Sequence, residues 1–171
     1  MTKDDVDIQA VGPGGVIQLS ISGDLDGMSG VPEWIAAIEG AGVEMQQTPV
    51  DTYFPAMAQA ILASDETIEE RPEVVSGFVG AVLHAIDDIQ ADPAQAAADY
   101  VSFVPQHAGK EAEIEQIMRS YVEKVYAPAE DHPLGTYSAD QMAAVQDFYV
   151  ESGIVRGSTP VEDLFTNEFI E

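Results

Sequence analysis

No cysteine occurs among the 171 residues, so disulfides, thiolate metal sites, iron–sulfur clusters and cysteine nucleophiles are excluded. Positive charge is nearly as scarce. Lys3, Arg71, Lys110, Arg119, Lys124 and Arg156 are the only cations, set against 31 Asp and Glu for a formal charge of −25. Six scattered cations build no basic patch for nucleic acid, and an anionic membrane surface repels such a chain. Long apolar runs are missing as well. No stretch of 18 apolar residues occurs, and Met1-Thr2-Lys3-Asp4-Asp5 lacks the apolar region of a signal peptide, so no direct membrane insertion is expected. The chain as it stands is expected in the cytoplasm; carried in an exported precursor, it would lie outside the cell or on its surface. No period of 20–50 residues repeats, no low-complexity block appears, and no Gly-x-Ser-x-Gly nucleophile motif is found.

What is present is core material under an anionic coat. Hydrophobic residues make up 46% and the mean hydropathy is −0.02, well above the composition of a disordered acidic tail. The acids are spread along the chain and lysine is almost absent, the pattern of proteins from salt-accumulating organisms, and a halophilic source is expected. Self-repulsion of this coat costs stability at low salt and is mostly screened near 1 M, where the Debye length is about 3 Å.

Periodicity divides the chain in two. Residues 6–11 alternate (Val6, Ile8, Ala10) and read as a strand ending in the turn cluster Gly12-Pro13-Gly14-Gly15. Residues 16–22 fit either a short helix or a strand. A glycine-rich stretch follows to Gly30, then Pro32 opens a helix whose face carries Trp34, Ile35 and Ile38, up to Gly40. Residues 43–47 read as a short strand, and Pro49 to Pro55 as a stiff connection. Residues 57–63 are apolar and of open type. From Pro72 the pattern is helical, with Val74, Val75, Phe78, Val79, Val82, Leu83 and Ile86 on one stripe. Asp92-Pro93 stops that helix and starts another through Tyr100 and Phe103; a third spans residues 111–126. A loop is expected over 127–137, and Ser138 caps a helix to Ser152 with Gly153 beyond its end. The expected architecture is a small α/β portion, residues 1–55, followed by a mostly helical portion, residues 56–171.

Four segments in register carry a resemblance. A strand and glycine-rich turn lead to Gly23-x-x-Asp26-Gly27 and then Pro32-Glu33; Asp65-Glu66-Thr67-Ile68 precedes Arg71-Pro72-Glu73-Val74-Val75-x-x-Phe78-x-x-Ala81. Asp147-Phe148-x-x-Glu151-x-Gly153-Ile154 and Leu164-Phe165-Thr166-Asn167-Glu168-Phe169 close the series. In this order they resemble the solute-binding proteins of ABC transporters, in the branch that binds thiamine-pyrimidine precursors, sulfonates such as taurine, or nitrate. The resemblance implies the second half of a two-lobed, periplasmic-binding-protein-like α/β fold, since such proteins are roughly twice this long. It also implies capture of a small organic molecule or anion for a permease. The absent half leaves a sheet edge and a helix face to be covered, by a chain carrying that half or by homo-oligomerisation.

Gly14 and Gly15 precede a possible helix, so their N–H groups suit either an anion or a plain turn; the Lys-Ser/Thr of a P-loop is absent. Met28, Ser29, Gly30, Glu33 and Trp34 form the favoured ligand segment: glycine admits a ligand to the backbone, Ser29 hydrogen-bonds, and the Trp34 ring stacks. The alternative is that Trp34 packs as the core face of its helix. Tyr53, with Phe54, lies at the connection between lobes and either closes over a ligand or packs. His84, His107 and His132 have no metal-like spacing; His84 reads as a partly buried structural residue and the others as loop residues. No catalytic residue, metal or cofactor is expected. Related pyrimidine synthases use a cysteine-rich motif that is missing here, which weakens an enzymatic reading. A non-catalytic dimeric assembly module is the other alternative.

The charge balance predicts a steep salt response. The thermal midpoint, followed by circular dichroism, is expected to rise by several degrees between about 0.1 M and 2 M KCl as repulsion is screened. A midpoint that stays level or falls would count against the halophilic reading.

Overall fold

The computed structural model describes residues 3–57, 59–126 and 132–170. These residues hold seven α-helices and short 3-10 turns at Lys3–Asp5, Val50–Thr52, Pro105–His107 and Val161–Asp163. The chain divides into two compact units, Met1–Gln47 and Thr48–Glu171. The boundary drawn from sequence falls eight residues later, after residue 55.

In the first unit, α1 (Gly12–Ser22) packs on α2 (Pro32–Gly40). Gly12 (φ 70°) opens α1, so the Gly-Pro-Gly-Gly cluster is the first turn of the helix rather than a turn before it. Residues 16–22, open between helix and strand from sequence, are helical. At the other end, Gly23 adopts φ 78° and its N–H reaches Leu19 and Ser20, closing the helix in the left-handed conformation glycine takes most easily. Ile38 of α2 is fully buried and anchors this unit.

Among the described residues there is no β-strand, and the α/β expectation is corrected to an all-helical one. Residues 6–11 and 43–47 carry strand-like alternation but are irregular. A strand is stabilised by the neighbour it pairs with, and alternation marks a buried face only where a sheet exists to bury it. Val6, Ile8 and Val11 are accordingly 46%, 69% and 40% exposed.

The second unit follows the helical periodicity from Pro72 onward, while the short helix before it was not expected from the sequence. It contains α3 (Asp65–Glu70), α4 (Pro72–Ala91), α5 (Pro93–Phe103), α6 (Glu111–Lys124) and α7 (Ala139–Glu151). Three of these starts are capped by side chains: Ser64 Oγ accepts from the N–H of Thr67, Asp92 from Ala94 and Gln95, and Ser138 from Gln141. Pro72 and Pro93 occupy first-turn positions, where the missing N–H costs nothing. The core lies between α5 and α6, where Ala97, Val101 and Ile114 are buried and Ile117 and Met118 pack against them.

α4 packs on α3, α5 and α6. It also amends the expectation about membrane-length segments, because it is long and apolar enough to cross a bilayer, with a mean hydropathy of 1.2 over 18 residues. Only 6% of that window is buried, so the helix keeps an uncovered apolar side.

The C-terminal segment is tied down by two side-chain amides. Asn167 Oδ1 accepts from the N–H of Tyr137 at 2.9 Å while its Nδ2 donates to the Tyr137 carbonyl at 2.9 Å. Gln146 grips Thr159 in the same two-bond manner, at 3.0 and 2.7 Å. The loop expected over 127–137 is described only from residue 132; residues 127–131 lie outside the described residues. Within it, Gly135 (φ 83°) lies so close to α4 that an added Cβ would stand 2.6 Å from Leu83 Cδ2.

Gly135→Ala therefore combines left-handed strain with a collision. Chemical denaturation should show a loss of about 1–3 kcal/mol, partly recovered by adding Leu83→Ala, since the two changes share one contact. Equal stability of Gly135→Ala and the parent would contradict this packing.

A half-buried tryptophan and a cleft along the long helix

The favoured ligand segment lies in the first unit, on the loop from α1 to α2. The turn at its start is made by short-range polar bonds: Ser22 Oγ meets the Asp24 carboxylate at 2.6 Å, and the Asp24 N–H donates to the Leu19 carbonyl at 2.9 Å. Ser20 Oγ donates to Met28 Sδ at 3.4 Å and draws the loop back over α1. The loop ends where the Val31 carbonyl accepts from the N–H groups of Trp34 and Ile35, starting α2.

This path brings Met28, Gly30 and Trp34 together. A Cβ built on Gly30 would stand 2.5 Å from Met28 Cε and 3.1 Å from Trp34 Cε3, so a side chain at position 30 requires the flexible end of Met28 to move aside. Trp34 and Met28 are half-buried, while Ser29 is exposed and Gly27 is open, with nothing within 4 Å of its Cβ position. Glu33 is half-buried in the first turn of α2, where a carboxylate complements the helix dipole. One side of the indole is thus packed by its own chain. The arrangement presents an aromatic ring beside exposed backbone and a hydroxyl, suited to stacking and hydrogen bonding rather than to proton transfer.

The other site candidates are not part of this cluster. Gly14 and Gly15 sit in the first turn of α1, about 9 Å along the helix from Ser20. Gly14 is open, whereas Gly15 lies against Val11, whose Cβ would be 2.9 Å from an added methyl. Val11 provides no side-chain cap, and Pro13 removes one of the N–H donors of the turn. Tyr53 belongs to the second unit, after the turn Val50–Thr52, and is 76% exposed. Its neighbour Phe54 stacks on Phe148 of α7, with centroids 5.0 Å apart and ring planes 1° from parallel, so this half of the aromatic pair packs.

The second unit contains a feature that sequence reasoning did not name. A cleft of about 490 Å³ runs between α4 and the C-terminal segment, with Gly77 and Gly80 on its floor, Leu134 and Phe169 opposite, and His84 and Asp87 on its lining. His84, expected to be partly buried, is exposed. The only sequence signal was the pair of glycines three residues apart on the flank of the apolar stripe. His107 stands against Tyr100, centroids 5.5 Å apart, and its buried Nδ1 has no hydrogen-bond partner. No group of three or more potential metal ligands occurs among the described residues.

The family model described as NMT1/THI5 like matches residues 1–96, from the N-terminus through the α1–α2 loop and α4 into the start of α5. The riboflavin-binding protein RibY of Chloroflexus aurantiacus is 24% identical over 135 residues, which cover 78% of this chain and 38% of that protein. The chain thus spans well under half the length of this curated relative. No solved structure matches it.

Gly30→Ala tests the geometry around the single tryptophan. Displacement of Met28 should expose the indole, giving a red-shifted emission, stronger acrylamide quenching and a stability loss of about 1 kcal/mol. Emission and quenching identical to the parent would mean that Met28, Gly30 and Trp34 are not packed as described.

Proposed function

From its membership of the NMT1/THI5-like family, to which this chain belongs, we propose that it acts as the solute-binding component, or part of one, of an ABC importer for a small organic molecule. The observation that carries the reading is the placement of the Met28–Trp34 segment inside the family-matched region, with a half-buried indole beside open glycine backbone and an exposed hydroxyl. A ring-bearing ligand stacks on such a tryptophan and takes hydrogen bonds from Ser29 and the loop backbone.

Ring heterocycles, such as a thiamine pyrimidine precursor or a flavin, fit better than nitrate or a sulfonate. The segment carries no cation, and the whole chain has six. An anion would depend on backbone N–H groups alone, against a charge of −25. The relative that binds riboflavin supports the same preference.

In this reading the chain is the second half of a two-lobed protein. The remaining ligand contacts come from the other lobe, and hinge closure traps the solute for delivery to a permease. Binding, not turnover, is the task, and no side chain is assigned to catalysis.

The test uses Trp34 as its own probe. In about 2 M KCl, the chain is titrated with riboflavin, a thiamine pyrimidine, taurine, an alkanesulfonate and nitrate, while Trp34 emission and the thermal midpoint are followed. Ligand at 100 times Kd adds about 2.7 kcal/mol, a rise of roughly 5–10 °C at this size. A ring ligand should produce both signals, and Trp34→Ala should weaken its binding. A flat response to both ring compounds, or a response to nitrate alone, would sink the heterocycle reading.

A further inference from the structure

We propose that the cleft along α4 is a second ligand site, built for an amine carried on an apolar body. It lies wholly within the second unit and shares no residue with the Met28–Trp34 segment, so it stands apart from the reading above.

The floor is kept open against the preference of the helix. Gly77 and Gly80 sit in the interior of α4, where glycine is the least favourable residue after proline. The packing of the chain requires neither. Both have ordinary helical φ, and beyond their own stretch of helix nothing lies within 4 Å of a Cβ built at either position. Alanine at both would strengthen the helix and fill the cleft; glycine leaves bare backbone facing an occupant.

The opposite wall is already in place. Leu134 and Phe169 are half-buried there. Asn167, two residues before Phe169, exchanges two hydrogen bonds of 2.9 Å with Tyr137, and Gly135 beside Leu134 is pressed against Leu83. Binding therefore has little chain to order, which favours affinity.

The polar groups select the occupant. Ser76 lies at one end, and His84 and Asp87 lie roughly 12–16 Å further along the helix. Spaced three residues apart, His84 and Asp87 are neighbours on one face. None of these three side chains has a hydrogen-bond or ion-pair partner among the described residues. No Lys or Arg is among the described residues of the lining, in a chain of charge −25. An anionic head would meet the Asp87 carboxylate with nothing to offset it. A head without a donor would leave both the carboxylate and the imidazole acceptor unused. An ammonium group serves both, with a charge-assisted bond to Asp87 and a further hydrogen for His84. The apolar body then covers Phe169, Leu134 and the glycine backbone. The volume of about 490 Å³ is that of a small-molecule pocket.

The test uses the full chain, isotope-labelled, at neutral pH in about 1 M KCl, where the acidic coat is screened. Phenylbutylamine, phenylbutanol and phenylbutyrate share one shape and differ in the head. The Gly77 and Gly80 amide signals in heteronuclear NMR report the cleft. The amine should give saturating shifts at both glycines, the alcohol should bind about tenfold more weakly, and the carboxylate should not saturate. Asp87→Asn should bring the amine down to the alcohol. Gly80→Ala should raise the thermal midpoint yet weaken amine binding about tenfold or more, a pairing that a glycine with a purely structural role does not give. Glycine amides that none of the probes moves, a carboxylate that binds as tightly as the amine, or a Gly80→Ala chain that binds the amine like the parent overturns the proposal. The Trp34 indole signal reads the other site in the same spectra, so the two readings fail separately.

Discussion

Covering the apolar surface of α4 is the constraint around which the second unit is arranged. The helix presents valines, leucine, isoleucine and phenylalanine over about five turns, more than one face of a helix needs to pack on a neighbour. α5 and α6 cover part of it, α3 covers its start, and Gly135 is pressed against Leu83 from the loop before α7. Part of what remains uncovered lines two concavities, the cleft toward the C-terminal segment and the groove beside residues 61–63.

The rest of the unit is held by short-range polar devices more than by a large core. The buried apolar residues between α5 and α6 are Ala97, Val101 and Ile114, small to medium side chains that bring the two helices close. Beyond that core, the tail is fixed by Asn167 and Gln146, whose amides imitate the paired bonds of a β-bridge. Such bonds contribute about 1 kcal/mol each. Among the described residues, Lys110 pairs with Glu113 and Arg119 with Glu115, both within one helix turn and exposed, so each contributes little.

The same acidity bears on recognition. A chain of charge −25 selects against anionic partners at a distance. Besides the cleft, two regions remain as candidates for contact. The first is the α1–α2 loop, where the indole and glycines lie near Asp24, Asp26 and Glu33 and no cation; the second is the groove on α4, whose lining side chains carry no charge. The first suits a neutral ring of molecular size, the second an apolar surface. The difference follows from geometry: a single half-buried ring beside open backbone in one case, and a row of exposed aliphatic and aromatic side chains beside an unpaired backbone in the other.

Helix positions were legible in the residues because their determinants are local. Pro72 and Pro93, the caps Asp92 and Ser138, and the stripe from Val74 to Ile86 act within a few residues of themselves, and the helices begin and end where those signals lie. Anionic character and the absence of thiol chemistry were likewise set by composition alone. Strands were not legible, because the alternation in residues 6–11 and 43–47 states a preference that only a pairing neighbour can realise, and none is present among the described residues. The segment Met28 to Trp34 was visible as a ligand candidate, yet its contacts were not: that Met28 fills the space a side chain on Gly30 would need, and that Ser20 draws the loop back, follow from the fold of α1 against α2. The cleft along α4 and the exposure of His84 arise between elements distant in sequence. Periodicity shows which face of a helix is apolar; only packing decides how much of that face is covered, because coverage is a property of the neighbours.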